Sequence, residues 1–245
     1  MPIVATDIKI YETKSTASGD GEAGGDGLGK YRSSDEITSG VTENVFDNVT
    51  ATESESGDIE YRAIMIKNTH ATLSFTDAKV WLAPASCTPM SDLTTQLANG
   101  GSETTVDVTD GSAFPTSGAF FVGDEEITYT GRSGNQFTGC TRGANGTSKV
   151  LHTVGTYVEH NQIRFYVAAP TNKTTGYLAT IADESTEPAG SPTWYGVYSF
   201  ATGLSIGTLA AGEFYGVWIR RKIPVGCQAK TGISYALARK GETAE

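Results

Sequence analysis

The chain has 245 residues, a formal net charge of −10, and charged and apolar fractions of 19% and 38%. That length can bury a sizeable core as one large all-β domain or two small ones, and the composition fits neither wholesale disorder nor a membrane protein. An acidic chain repels phosphate backbones, which argues against nucleic acid as main partner, and no apolar run approaches the ~20 residues of a membrane helix.

The opening MPIVATDIKIYETK has no basic n-region and no long apolar stretch, so no secretory signal is expected and synthesis in a cytoplasm is. Within it, DIKIY (Asp7–Tyr11) alternates as a strand does. STASGDGEAGGDGLGKYRSS (Ser15–Ser34) is rich in Gly, Ser and acid and reads as a long flexible surface loop. Its Asp20, Glu22 and Asp26 evoke a calcium loop but match neither EF-hand nor nonapeptide spacing, so no metal is expected there. YRAIMIKN (Tyr61–Asn68) and TLSFTDAKVWLAP (Thr72–Pro84) flank the hairpin-length gap THA, and Trp81 stands roughly where immunoglobulin-type sheets bury a tryptophan. The best helix candidate, SDLTTQLAN (Ser91–Asn99), offers an N-cap serine but lasts only two turns.

From Leu93 to His160 the strands become short and closely spaced: TTVDV, AFFV, EITYT, NQFTG and TYVEH, separated by Gly and Asp. This spacing predicts a compact subdomain with little core of its own, inserted between strands of a larger domain. QIRFYVAAP (Gln162–Pro170) then resumes, with Ile163, Phe165 and Val167 on one face. EPAGSPTW (Glu187–Trp194) is a loop with two prolines, and WYGVYSF, FYGVWIRR and ISYALAR are further strands. LAAGEFY places Leu209, Gly212 and Tyr215 at the spacing of a tyrosine corner, in which the hydroxyl bonds backbone upstream. Arg220, Arg221 and Lys222 read as a solvated strand end. The expected fold is all-β: an Ig-like/Greek-key β-sandwich of residues 1–92 and 161–245 with a small inserted β-subdomain, 93–160.

Chemistry is sparse. Cys87, Cys140 and Cys227 are far apart and form no CxxC pair, which leaves a zinc site unsupported. An odd count leaves at least one thiol free or paired with another chain; three reduced cysteines and an intersubunit disulfide are the two readings. Asp124, Glu125 and Glu126 are adjacent and alternate in direction, unlike a glycosidase pair facing each other across a cleft. His70, His152 and His160 lack metal-binding spacing, and Cys140 with His152 has no nucleophile context. No catalytic, cofactor-binding or metal-binding residue is expected, and the chain reads as a non-enzyme.

FPTSGAFFVGDEEITYTGRSGNQFTGCTRGANGTSKVLHTVGTYV (Phe114–Val158) resembles a module repeated across structural proteins of tailed bacteriophages. Its hallmarks here are Phe114-Pro115, Gly123-Asp124-Glu125, Ile127, Tyr129, Thr141-Arg142-Gly143, Gly146-Thr147, His152 and Gly155. The glycines permit turns that a Cβ resists, and Phe114, Phe120, Ile127, Tyr129 and Phe137 would fill a miniature core. DIKIYET, NVFDNVTATESESGDIEYRAIMIKNTHATLSFTDAKVWL and GEFYGVWIRRKIPVG are similar to uncharacterised virion proteins encoded among head, neck and tail genes. The resemblance implies a virion structural protein, with neck/collar or capsid decoration as favoured positions. Its implied partners are other virion proteins, and a homo-oligomer, a trimer or ring, is expected from the sandwich's edge strands, the Ser15–Ser34 arm and the odd thiol, with no nucleic acid, membrane or cofactor. The alternative is a receptor- or carbohydrate-binding module of a fibre or baseplate, with Trp194 beside Tyr195 as its aromatic platform. A glycan-degrading enzyme ranks last.

Overall fold

A computed structural model describes residues 2–41, 43–82, 91–159, 164–168, 177–190, 192–197, 203–224 and 237–244. In chain order they form β1 (Ile8–Lys14), β2 (Tyr31–Glu36), one short helix α1 (Ala51–Ser56), β3 (Asp58–Asn68) and β4 (Ser74–Leu82). Next come β5 (Ser91–Asp92), β6 (Thr105–Asp107), β7 (Gly118–Val122), β8 (Glu125–Tyr129), β9 (Gly131–Ser133), β10 (Gln136–Thr138), β11 (Thr141–Arg142) and β12 (Tyr157–Glu159). The last four are β13 (Arg164–Ala168), β14 (Leu204–Leu209), β15 (Phe214–Ile223) and β16 (Leu237–Ala244). The protein is all-β. Its chain divides into two compact units, Met1–Ala83 with Ile163–Glu245, and Pro84–Gln162.

The discontinuous unit is a sandwich. One sheet has the order β13-β15-β3-β1-β2 and the other β14-β4-β16, with every pairing antiparallel. Alternation sorts the central strand β3 onto two faces. Ile64 and Ile66 join Ile8, Ile10, Val217 and Ile219 against Phe75, Val80, Leu82, Ile206 and Leu209 of the second sheet. On the reverse face, Tyr61, Ala63 and Met65 pack with Tyr166 and Trp218 under Leu178, Ile181 and Trp194. Because both faces are covered there, Ala63–Ile66 of β3 and Val217–Ile219 of β15 are unbroken apolar runs. Trp81 is only partly buried, against the first core.

Several expectations fail here for identifiable reasons. Tyr61–Asn68 and Thr72–Pro84 do not pair as a hairpin: β3 and β4 lie in different sheets, so the THA turn crosses the sandwich. Asn68, fully buried, pins that crossing by donating to the carbonyls of Leu73 (2.8 Å) and Leu209 (3.0 Å). Gly212 N–H in turn donates to Asn68 O at 2.9 Å. The tyrosine corner is therefore not formed. Tyr215 is buried, yet its hydroxyl has no hydrogen-bond partner among the described residues, and Asn68 tethers the LAAGEFY turn instead. Ser91–Asn99 is not helical: Ser91–Asp92 is a strand, and Leu93 and Leu97 bridge to Val108 and His152. The helix that does form carries a capping box, with Thr50 Oγ1 accepting from Glu53 N–H and Glu53 Oε2 accepting from Thr50 N–H (2.6 Å).

The Ser15–Ser34 loop is tied down by its acids. Asp26 accepts from Ser15 N–H and Oγ–H and from Leu28 N–H, and Glu22 accepts from Ser18 N–H and Oγ–H. Its last residues are strand β2, whose outer edge the loop covers: Gly21 N–H donates to Arg32 O, Arg32 N–H to Asp20 Oδ1, and Ser34 N–H to Glu22 O. The opposite edge, β13, exchanges two bonds with Tyr195 through Val167. Expected strand residues 162–163, 169–170, 198–200 and 233–236 lie outside the described residues.

The second unit contains the sheets β6-β10-β9 and β11-β8-β7-β12-β5. Because β5 pairs with β12, the unit begins before the expected boundary at residue 93. It has a core of its own: Leu93, Leu97, Val106, Val108, Phe114, Phe120, Val122, Ile127, Tyr129, Phe137, Cys140 and Val158. Phe137 sits at its centre, 4.6 Å from Phe120, 4.7 Å from Tyr129 and 5.0 Å from Phe114 between ring centroids. Tyr129 Oη donates to Pro115 O at 3.0 Å.

Candidate functional site

The polar residues of the Phe114–Val158 module converge on one buried cluster. β7 and β8 pair from Gly118↔Tyr129 to Val122↔Glu125, leaving Gly123–Asp124 as a two-residue turn with Gly123 at φ 57°, which suits glycine at the first turn position. Asp124 is exposed, whereas Glu125 and Glu126 are both fully buried. β11 runs antiparallel to β8 and brings Arg142 opposite Ile127, beside the start of β8.

Arg142 and Glu125 form a two-pronged pair, Nε to Oε1 at 2.8 Å and Nη2 to Oε2 at 2.7 Å. Glu125 also accepts from Gly143 N–H (3.1 Å) and Val150 N–H (3.2 Å), and its Oε2 lies 2.9 Å from His152 Nε2. The remaining Arg142 donors reach Glu103 Oε2 (2.8 Å), Ala98 O (2.6 Å) and Val150 O (2.6 Å). His152 is held by reciprocal backbone bonds with Leu97. Burial pushes the Glu125 carboxyl up, and the His152 and Arg142 hydrogen bonds outweigh it, so the group titrates below its ordinary value. At Glu103, burial is likewise outweighed by Arg142 and the Ala98 N–H, which hold the carboxyl near about 2.

Glu126 completes the motif. Asn145 Nδ2 donates to its Oε2 at 2.8 Å, and its own N–H donates to Thr147 Oγ1 at 3.0 Å. The tail Arg142-Gly-Ala-Asn-Gly-Thr147 thus matches Glu125-Glu126 group for group. Gly143, at φ 66°, also lacks room for a side chain: a Cβ would sit 2.9 Å from Lys149 Cγ and 3.0 Å from Thr147 O. Sequence reading isolated these residue types but not their pairing. Glu103, outside the module, carried no signal at all.

The other candidate residues serve structure too. His70 Nδ1 accepts from Thr72 and Leu73 N–H in the turn before β4. Cys140 is a free thiol in the apolar core, pushed up to about 11 by burial, so it is not placed for an intersubunit disulfide. Cys87, Cys227 and His160 lie outside the described residues. Arg220 and Arg221 are not a solvated strand end, because β15 is paired on both sides from Trp218 to Lys222. Arg221 is fully buried and bonds Glu60 through Nε and Nη2 and Asp47 Oδ1 through Nη2 (2.8 Å). Arg220 lies over the rings of Tyr166 (4.2 Å) and Trp194 (5.0 Å). Trp194 is itself buried, with Nε1 donating to Glu187 Oε1 at 2.9 Å, and so offers no open face to a sugar. Among the described residues, Glu53, Asp58 and Glu60 have carboxylate oxygens within 4.8 Å of one another, but both Glu60 oxygens accept from Arg221. No described helix is long and apolar enough to cross a membrane. No family model matches the chain, and no curated protein or solved structure matches it at a significant level.

Proposed function

We propose that the chain is a structural component of a tailed-phage virion, a neck/collar or capsid-decorating protein that acts through protein–protein contacts and not through catalysis. The observation that carries this reading is the buried Glu125–Arg142–His152–Glu103 cluster. The residues that define the phage-type module bond one another, and nucleophile–base chemistry would require at least one of them free and open to substrate. Burial of Trp194 weighs against the receptor-binding alternative, for which it was the leading aromatic candidate. The reading gives partners among other virion proteins and a homo-oligomeric state. Because loop residues 20–22 bond the β2 edge and Tyr195 bonds Val167 on the β13 edge, its assembly contacts use side-chain surfaces instead of strand addition there.

Quantitative mass spectrometry of purified particles tests the proposal. On the order of a dozen copies per particle would place the chain in the neck, and hundreds on the capsid, following particle symmetry. Absence of the chain from purified virions would overturn the assignment.

A further inference from the structure

The sandwich unit contains a cavity of ≈ 230 Å³ that the module's chemistry does not involve. Its walls are of two kinds. Ile37, Val45 and Ile64 supply apolar lining, and Glu12, Asp26, Glu43, Asp47 and Arg62 charged lining. Glu12 is the anomalous member. On β1, Ile8 and Ile10 point into the first core, and Glu12 stands opposite the core residue Ile64, so it holds the next core-facing position. A carboxylate where alternation calls for an apolar side chain breaks the pattern that stabilises the strand, and such breaks concentrate at functional sites.

The cavity's other charged groups are committed. Asp26 binds Ser15 and Leu28, Glu43 accepts from Asn48 Nδ2, Asp47 binds Arg221, and Arg62 binds Glu184 and Val45 O. No hydrogen bond or ion pair from a described residue reaches the Glu12 carboxylate. Burial first, then Asp35 and Asp26, raise its proton affinity, with Arg62 opposing. Gly25 leaves the carboxylate its space, since a Cβ there would fall on the Glu12 side chain. What complements this arrangement is a positively charged donor on an aliphatic stem: the stem lies on the apolar wall and the head meets Glu12.

We propose that this cavity is a docking site for a basic side chain of a partner protein, with Glu12 as the carboxylate that receives its charged head. The chain's net charge of −10 favours a partner with a basic surface. The inference does not depend on the virion assignment, because it rests on the cavity and Glu12 alone.

The test is NMR titration of the intact protein with N-acetyl-arginine amide, using the citrulline analogue as an uncharged control. Saturable shifts are expected at Glu12, Gly25 and Val45 amides with the arginine compound and none with the citrulline compound. Glu12→Gln should weaken binding at least tenfold. Gly25→Ala, which crowds Glu12 without changing charge, should weaken it as well and covers the case of a Glu12 variant that fails to fold. No saturable shift up to the solubility limit, equal binding by citrulline, or unchanged binding in the folded Glu12→Gln protein would each refute the site. Displacement of the arginine probe by stoichiometric calcium would reassign the cavity to a divalent cation and overturn the proposal as stated.

Discussion

Replacing Arg142 by Met isolates what the buried cluster contributes. The change removes the two-pronged bond to Glu125 and the bond to Glu103, and leaves the Ala98 and Val150 carbonyls without those donors. Glu125 is fully buried, so its charge is stranded with only Gly143 N–H, Val150 N–H and His152 as partners. Removing one member of a buried, hydrogen-bonded pair costs about 3–5 kcal/mol. The loss should fall on the inserted unit. Trp81, Trp194 and Trp218 all belong to the sandwich unit, so tryptophan fluorescence follows the sandwich while hydrogen exchange across residues 91–159 follows the insert. Exchange in the insert should accelerate by the factor equivalent to that loss, with the tryptophan transition unmoved. The double variant Glu125→Leu/Arg142→Met should recover much of the stability, since no charge is then stranded. An Arg142→Met effect below about 1 kcal/mol would refute the reasoning, because the pair would then behave as a surface ion pair. The same cluster sets an acid limit. Glu103 and Glu125 have folded values below those of unfolded carboxyls, so their stabilisation is fully present above the unfolded value of ~4.3. It is lost as pH falls from there through the folded values toward about 2, and the insert should open first in an acid titration followed by exchange.

Three further outcomes are expected. Tyr215→Phe should leave the denaturation midpoint unchanged or slightly raised, because the hydroxyl it removes is buried without a bond; a loss of more than about 1 kcal/mol would reveal a partner and restore the tyrosine corner. Asn68→Ala should destabilise the sandwich by roughly 2–4 kcal/mol, since two carbonyls on different connections lose their donor; chemical denaturation measures it, and a near-neutral result would remove Asn68 from its tethering role. Cys140 should resist Ellman's reagent at pH 8 in the folded protein and react on unfolding, with peptide mapping to identify the labelled thiol; rapid labelling in the native state would contradict its burial and raised pKa.

Strand content was legible in the chain because a half-buried strand must alternate, and Ile8/Ile10 or Phe165/Val167 do so locally. The miniature core was legible for a similar reason: Phe114, Phe120, Ile127, Tyr129 and Phe137 lie close in sequence, separated by glycine turns. Even the capping box at Thr50 and Glu53 is a local signal, overlooked because the helix spans only Ala51–Ser56. What no window of sequence contains is which distant polar groups meet. Asn68 and Leu209, Glu60 and Arg221, and Glu103 and Arg142 are paired only once strands from separate stretches are placed side by side. Charge has no periodicity that names its partner, so Arg220–Lys222 reads as solvated when viewed alone. Alternation along β15 puts Arg221 on the core face with Val217, Ile219 and Ile223, where burial is tolerable only because Glu60 and Asp47 are waiting. Local alternation and turn chemistry by themselves determined that this protein is built of strands; only the tertiary structure decided where its charges go, because burial makes each buried charge depend on a partner that the linear order does not specify.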